Sequence, residues 1–341
     1  MPTEYLDPFI AGLPKVELHI HLQGAASVDT VLELSRRHPA AGLPTERDEL
    51  MAFYRFTDFA HFIEIYIAVN RLVRSPDDVL ALVVGLARDL VAQQVRYAEV
   101  TVTPYSHLLH GMPGQAVADA LSAGRAEAAR LGIELAWVFD IPGEAGLPAA
   151  DQTIDWVESF HPDGSVGFGL GGPEIGVPRP QFAPHFQRAN ALGLVSLPHA
   201  GETTGPETVW DALNVLTARR VGHGIAAAGD PGLMQHLADN DIALEVCPTS
   251  NVCTRAVDSL ESHPWPVLAE AGVPLTLNSD DPGMFSTTLN HEYAVAREHF
   301  GLSNAGLADL VRSAIRYSLA TDNRKHALLA EVDAYARTTL D

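Results

Sequence analysis

The chain has 341 residues, 47% of them hydrophobic and 19% charged, enough apolar material for a large buried core. Acidic residues outnumber basic ones 43 to 22, and the net charge of −21 repels nucleic-acid backbones and anionic membrane surfaces. That excludes a nucleic-acid polymer or a membrane as the expected partner, but not a small substrate in a pocket. The first residues, MPTEYLDPFIAGLPK, carry acids early and lack the basic and long apolar regions of a signal peptide. No run of 18 apolar residues occurs, so no membrane span is expected. Cys247 and Cys253 are too few for a disulfide framework, and a reducing cytoplasm is the expected location.

In chain order, short apolar or β-branched runs recur, each followed by a polar or glycine-containing loop. They are KVELHIH (15–21), VRYAEVTV (95–102), IELAWVFD (133–140), SVGFGL (165–170), LVSLPH (194–199), RVGH (220–223), IALEVC (242–247) and PLTLNS (274–279). Between most of them lie Ala/Leu-rich stretches with helical spacing, such as GQAVADALSAGRAEAARLG. The glycines of "RLG", "ALG" and "EAG" stand where a helix end needs a left-handed residue before the next strand. Strands alternating with helices predict an α/β fold with a parallel sheet, and eight strands predict one (β/α)8 TIM-type barrel over residues 1–341. An open doubly wound sheet fits the same alternation.

The gap after the first run is long, about residues 27–94, with helical segments at 27–38, 58–72 and 76–94. Within it "YRFTDFAHFIEIY" is aromatic and apolar at helical spacing. Such a stripe is either core or, since a barrel insertion after the first strand lies at the mouth, a lid over substrate.

Chemistry-bearing residues collect at strand ends. The first run ends in His19 and His21, which share one face of a strand. One His-x-His pair is expected by chance about 0.7 times at this histidine content, so the pair alone proves little. The fifth run ends in His199 followed by Ala200-Gly201-Glu202, the sixth in Gly222-His223-Gly224, and the eighth in Asn278-Ser279-Asp280-Asp281. In a barrel these ends share one rim, and three imidazoles with a carboxylate suit a single zinc that keeps a position open for water. Glu202 can then move protons, His223 can orient or deprotonate water or stabilise developing charge, and Asp281 is free to bond substrate.

Rival motifs fail. "GFGLGG" (167–172) matches a dinucleotide fingerprint, but Pro173-Glu174 follow and no dinucleotide-type unit opens there. Cys247 and Cys253 lie six apart, unlike the cysteine pair of the H-x-E zinc deaminases. "HEYAV" lacks the second histidine of a metalloprotease helix, and the fourth strand end offers no lysine for a binuclear centre.

The pieces "LPKVELHIHLQGA", "YAEVTVTP", "VGFGLGGPE", "PHAGE", "RVGHG", "LEVCPTSN" and "LNSDDPGMF", in that order, resemble the adenosine deaminase family over nearly the whole chain. The resemblance implies a (β/α)8 barrel with one Zn2+ per chain on His19, His21, His199 and Asp280. It implies that Glu202 protonates purine N1, His223 orients the attacking water, Asp281 meets N7 and the Gly172 N–H meets N3. The implied reaction is hydrolytic deamination of an adenine nucleoside, releasing ammonia and the 6-oxo purine.

Two features depart from plain adenosine enzymes. Gln23 stands where those relatives carry an acid that accepts from the ribose 5′-hydroxyl, and Thr101 stands where many have Arg. "GLGGPEIGVPRPQF" and "HAGETTGPETVWDAL" look most like the branch acting on aminodeoxyfutalosine, a 5′-extended adenine nucleoside of menaquinone biosynthesis, although that branch carries a different pair from Leu22-Gln23. Phe59, Phe62 and Tyr66 would supply an apolar wall, and Arg179 or Arg255 could meet an acidic 5′ group. Alternatives stay open: adenosine or deoxyadenosine as substrate, a non-catalytic adenosine-binding relative, or a barrel amidohydrolase acting on a non-purine. The oligomeric state is open.

Overall fold

The computed structural model describes residues 7–340. Strands β1 (Lys15–His21), β2 (Val95–Val102), β3 (Glu134–Pro142), β4 (Ser165–Gly171), β5 (Val195–Ala200), β6 (Arg220–His223), β7 (Ala243–Val246) and β8 (Leu275–Leu277) follow one another around a parallel sheet. The end of β8 closes on β1: Ile20 pairs with Asp280, the His21 N–H donates to the Asp280 carbonyl, and the Asp280 N–H donates to the His19 carbonyl, both at 3.0 Å. The alternation therefore resolves into a (β/α)8 barrel and not an open sheet.

Helices cover the outside of the strands, which is why β1, β6, β7 and β8 are buried along their whole length. Gly132 ends the helix Gly114–Leu131 at φ 98°, and Gly193 and Gly272 also adopt the left-handed backbone. Among the described residues no helix is long and apolar enough to cross a membrane.

Between β1 and β2 lie the helices Val28–Arg37, Arg47–Phe53, Phe59–Asn70 and Pro76–Ala92; the second of these was not anticipated from the spacing. Ser75 and Asp78 form a reciprocal capping box that starts the last one. The Asp58 carboxylate starts the third by accepting from the His61 N–H at 2.9 Å. Phe62 packs its ring 4.9 Å from Phe285, which seats this helix on the short helix Pro282–Phe285 after β8.

Candidate active site

β1 directs Glu17, His19 and His21 to the same side because side chains alternate along a strand. His19, His21, His199 and Asp280 are buried, and each offers one donor atom within 4.8 Å of the others. His21 Nε2 lies 3.2 Å from Asp280 Oδ1 and 3.2 Å from His199 Nε2. Ser250 Oγ donates to Asp280 Oδ2 at 2.6 Å, leaving Oδ1 to face the imidazoles.

His19 Nδ1 donates to Glu245 Oε2 at 2.8 Å, so Nε2 carries the lone pair, and that buried nitrogen has no hydrogen-bond partner. An orphaned imidazole nitrogen inside an N/N/N/O donor set fits a zinc ion. Gly222 makes room for it: a Cβ there would come 2.8 Å from the His19 ring and 3.2 Å from that of His199. Cys247, the nearest sulfur, stays a thiol, since burial pushes its pKa up.

Glu202 and His223 stand beside this cluster, with His223 Nε2 3.7 Å from both Glu202 Oε2 and Asp280 Oδ2. Burial first, then the charges of Asp280 and Glu174, pushes the Glu202 carboxyl up to about 8, so it keeps its proton near neutral pH. Burial also lowers the His223 imidazole to about 4, so it stays neutral. A chain of hydrogen bonds sets its tautomer. The Trp265 N–H donates to His263 Nδ1 (3.0 Å), His263 Nε2 donates to Asn251 Oδ1 (3.2 Å), and Asn251 Nδ2 donates to His223 Nδ1 (3.1 Å). His223 therefore presents Nε2–H to the site. Asn251→Ala should cost roughly 10–100-fold in kcat/KM, as other changes to outer-shell partners do, with the metal content of the purified protein unchanged. Retention of full activity would remove Asn251 from the relay.

His223 and Asp280 hold left-handed backbones, at φ 57° and 65°. Such conformations cost about 1–3 kcal/mol each in non-glycine residues and collect at functional sites. The loop carrying Glu202 is held by Glu174, whose carboxylate accepts from the N–H groups of Gly201 (2.9 Å) and Glu202 (2.8 Å) and from the hydroxyls of Thr204 and Thr208. Spacing along the chain gave no role to Glu174, Glu245, Ser250, Asn251 or His263. The signal was present in "GGPE" and "LEVCPTSN", but their partners lie far away in sequence.

A cleft of about 700 Å³, open mouth included, leads to the cluster; His21, His199, Glu202, His223, Asp280 and Asp281 line its floor, and Phe59, Phe62, Tyr66 and Gly172 line its walls. Asp281 is buried with Oδ1 unpartnered, and burial next to the Asp280 charge pushes its carboxyl well up, so it can donate. Gly24 is required beside it, because a Cβ there would fall 1.6 Å from Asp281 Oδ1. Gln23 is 1% exposed and lies just behind the cleft lining, with Nε2 3.3 Å from His107 Nε2 and Oε1 without a partner.

Two sequence expectations are corrected. Arg179 is fully buried and spends its guanidinium on the Gly172 and Pro173 carbonyls, both at 3.3 Å, where it supports the Gly172 turn and does not line the cleft. Arg255 is exposed and also lies outside the cleft lining. Neither is placed to meet a 5′ group.

Fold and site together define a barrel hydrolase whose rim gathers a metal-binding donor set and a protonated carboxyl. The family model for adenosine deaminase matches residues 14–335, and the chain belongs to that family. It is an aminohydrolase that deaminates an adenosine-like substrate. It is 52% identical over 338 residues to aminodeoxyfutalosine deaminase of Streptomyces avermitilis, covering 98% of this chain and 94% of the relative. Among solved structures, adenine deaminase from Arthrobacter aurescens superposes with TM-score 0.91 at 29% identity, covering 96% of this chain and 100% of that one. An amidohydrolase from Burkholderia ambifaria with bound Zn gives TM-score 0.88 at 29% identity, covering 97% and 93%.

Proposed function

We propose that the chain is a zinc-dependent deaminase of a 5′-extended adenosine, with aminodeoxyfutalosine, a nucleoside of menaquinone biosynthesis, as its best substrate. The likeness over 98% of the chain to a relative of that name carries the substrate reading. His19, His21, His199 and Asp280 would hold one zinc, which supplies an activated water near neutral pH when bound.

The remaining steps belong to this chain's own side chains. Asp281, still protonated, donates to purine N7, and the Gly172 N–H meets N3, which together orient C6 over the floor of the cleft. Phe59 and Phe62 wall in the substrate. Glu202 gives its proton to N1 as water oxygen adds to C6, and takes the proton that water releases. His223 Nε2–H holds the incoming oxygen. The second proton of water then moves to the amino nitrogen, the C6–N bond breaks and ammonia leaves. Of the two water protons, one therefore ends on Glu202, restoring the carboxyl that gave its proton to N1, and one on ammonia.

Gln23 favours the 5′-modified reading, because an amide tolerates a bulky or anionic 5′ group better than an acid that demands a free hydroxyl. The test is kcat/KM for adenosine, deoxyadenosine, methylthioadenosine, adenosylhomocysteine, aminodeoxyfutalosine and adenine, on the native enzyme and on Gln23→Asp. Aminodeoxyfutalosine should lead, and Gln23→Asp should shift preference toward adenosine. A tenfold preference of the native enzyme for adenosine (about 1.4 kcal/mol) would leave plain adenosine deaminase as the activity.

A further inference from the structure

A line of charged side chains runs down the barrel interior, away from the cleft and beneath the donor set. Arg220 opens β6 and His223 closes it, so the arginine enters from the end opposite the cleft and lines no part of it. Its three guanidinium nitrogens have three different partners. Nε donates to Glu245 Oε1 on β7 at 2.5 Å, Nη2 to Glu99 Oε2 on β2, and Nη1 to the Tyr317 carbonyl at 2.6 Å. Glu245 Oε2 in turn accepts from His19 Nδ1 at 2.8 Å. Glu99 Oε1 is itself fixed, by the Tyr97 hydroxyl at 3.1 Å and by the Leu319 N–H. Tyr317 ends the helix Asn304–Tyr317, and Leu319 lies in the turn before the helix Asp322–Leu340. The His19 ring is therefore tied, through two side chains, to a turn at the far end of the barrel.

Glu99, Arg220 and Glu245 are at most 3% exposed. Apolar side chains filling such a space are often as stabilising or more so, so stability alone does not call for three buried charges. Two carboxylates also share one guanidinium, and among the described residues no other lysine or arginine pairs with either. The excess negative charge reaches His19 through Glu245, where a bound cation offsets it. The fork of an arginine suits this place. It holds carboxylates from β2 and β7 at once, whereas a lysine ammonium carries its charge on a single nitrogen.

We propose that Arg220 is a positioning residue for the metal: held by Glu99 and the Tyr317 carbonyl, it sets the Glu245 carboxylate that orients His19, and so raises the affinity of the donor set for zinc. The inference rests on the zinc reading and extends it to groups that touch neither the donor atoms nor the cleft.

The test is zinc affinity, by competition with a chromophoric chelator, on the native enzyme, R220K, E245Q and R220K/E245Q, with visible spectra of the cobalt-substituted proteins. R220K should weaken zinc roughly 10–100-fold, as changes to the partners of metal-bound histidines do, and should shift the cobalt bands. E245Q should cost about as much, and R220K/E245Q no more than E245Q alone, because Arg220 acts through Glu245. E99Q, which loosens Arg220 but leaves it in place, should weaken zinc in the same direction. Native affinity in R220K or, should that variant not fold, in E99Q overturns the proposal. So does a loss from R220K that is as large in the E245Q background as in the native one, since that marks a general loosening of the barrel. Native zinc affinity in His19→Ala would instead overturn the four-residue site, and the role of Arg220 with it.

Discussion

Glu202→Gln should lose turnover by roughly 10²–10⁴-fold, the usual worth of a positioned general acid–base, while its zinc content stays at one per chain. The two oxygens of Glu202 are not among the donors that converge with His19, His21, His199 and Asp280. One accepts from Thr254 Oγ1 at 3.1 Å, and the other lies 3.7 Å from His223 Nε2. Gln matches the shape and can still hydrogen-bond, but its amide has no acidic proton to give to N1. The backbone is held by Glu174, so the loop should keep its place in the variant. Single-turnover rates and metal analysis on the same preparation check this; loss of zinc in Glu202→Gln would make Glu202 a ligand and refute its role as a proton shuttle.

His19→Ala should lose both metal and activity. Structural zinc sites bind with roughly 10–16 kcal/mol, so one of four ligands carries about 3 kcal/mol, a weakening of about 10²-fold or more. Two further losses add to this. The ring of His19 packs 4.5 Å from that of His199 and 4.9 Å from that of His223, so its removal leaves a gap between the other site imidazoles. Glu245 also loses the imidazole donor on Oε2 and keeps the Arg220 Nε donor on Oε1 at 2.5 Å. Competition against a chromophoric chelator measures the affinity directly, without relying on turnover. Unchanged zinc affinity in His19→Ala, or two ions bound per native chain, would refute the four-residue site.

These effects differ in how far they could be read from the chain alone. His19 and His21 are two apart in a strand, and His199, His223 and Asp280 end their runs or directly follow them, so local periodicity puts them on one barrel rim. The same holds for the helix over Phe59–Asn70, whose cleft-lining face repeats at helical spacing. Local patterning of this kind determined the eight strands, the insertion, the donor set and Glu202, because each depends on neighbours a few residues away.

Tertiary structure alone decided the rest. Closure rests on Ile20 meeting Asp280, and the tautomer of His19 rests on Glu245, 226 residues away. The loop under Glu202 is held by Glu174 from another strand end. Arg179 and Arg255 are conspicuous in the sequence, yet one is buried against carbonyls and the other lies off the cleft. A charged side chain does not announce its partner. Whether it is neutralised, buried or left free depends on which distant backbone folding brings against it, and periodicity along the chain carries no record of that.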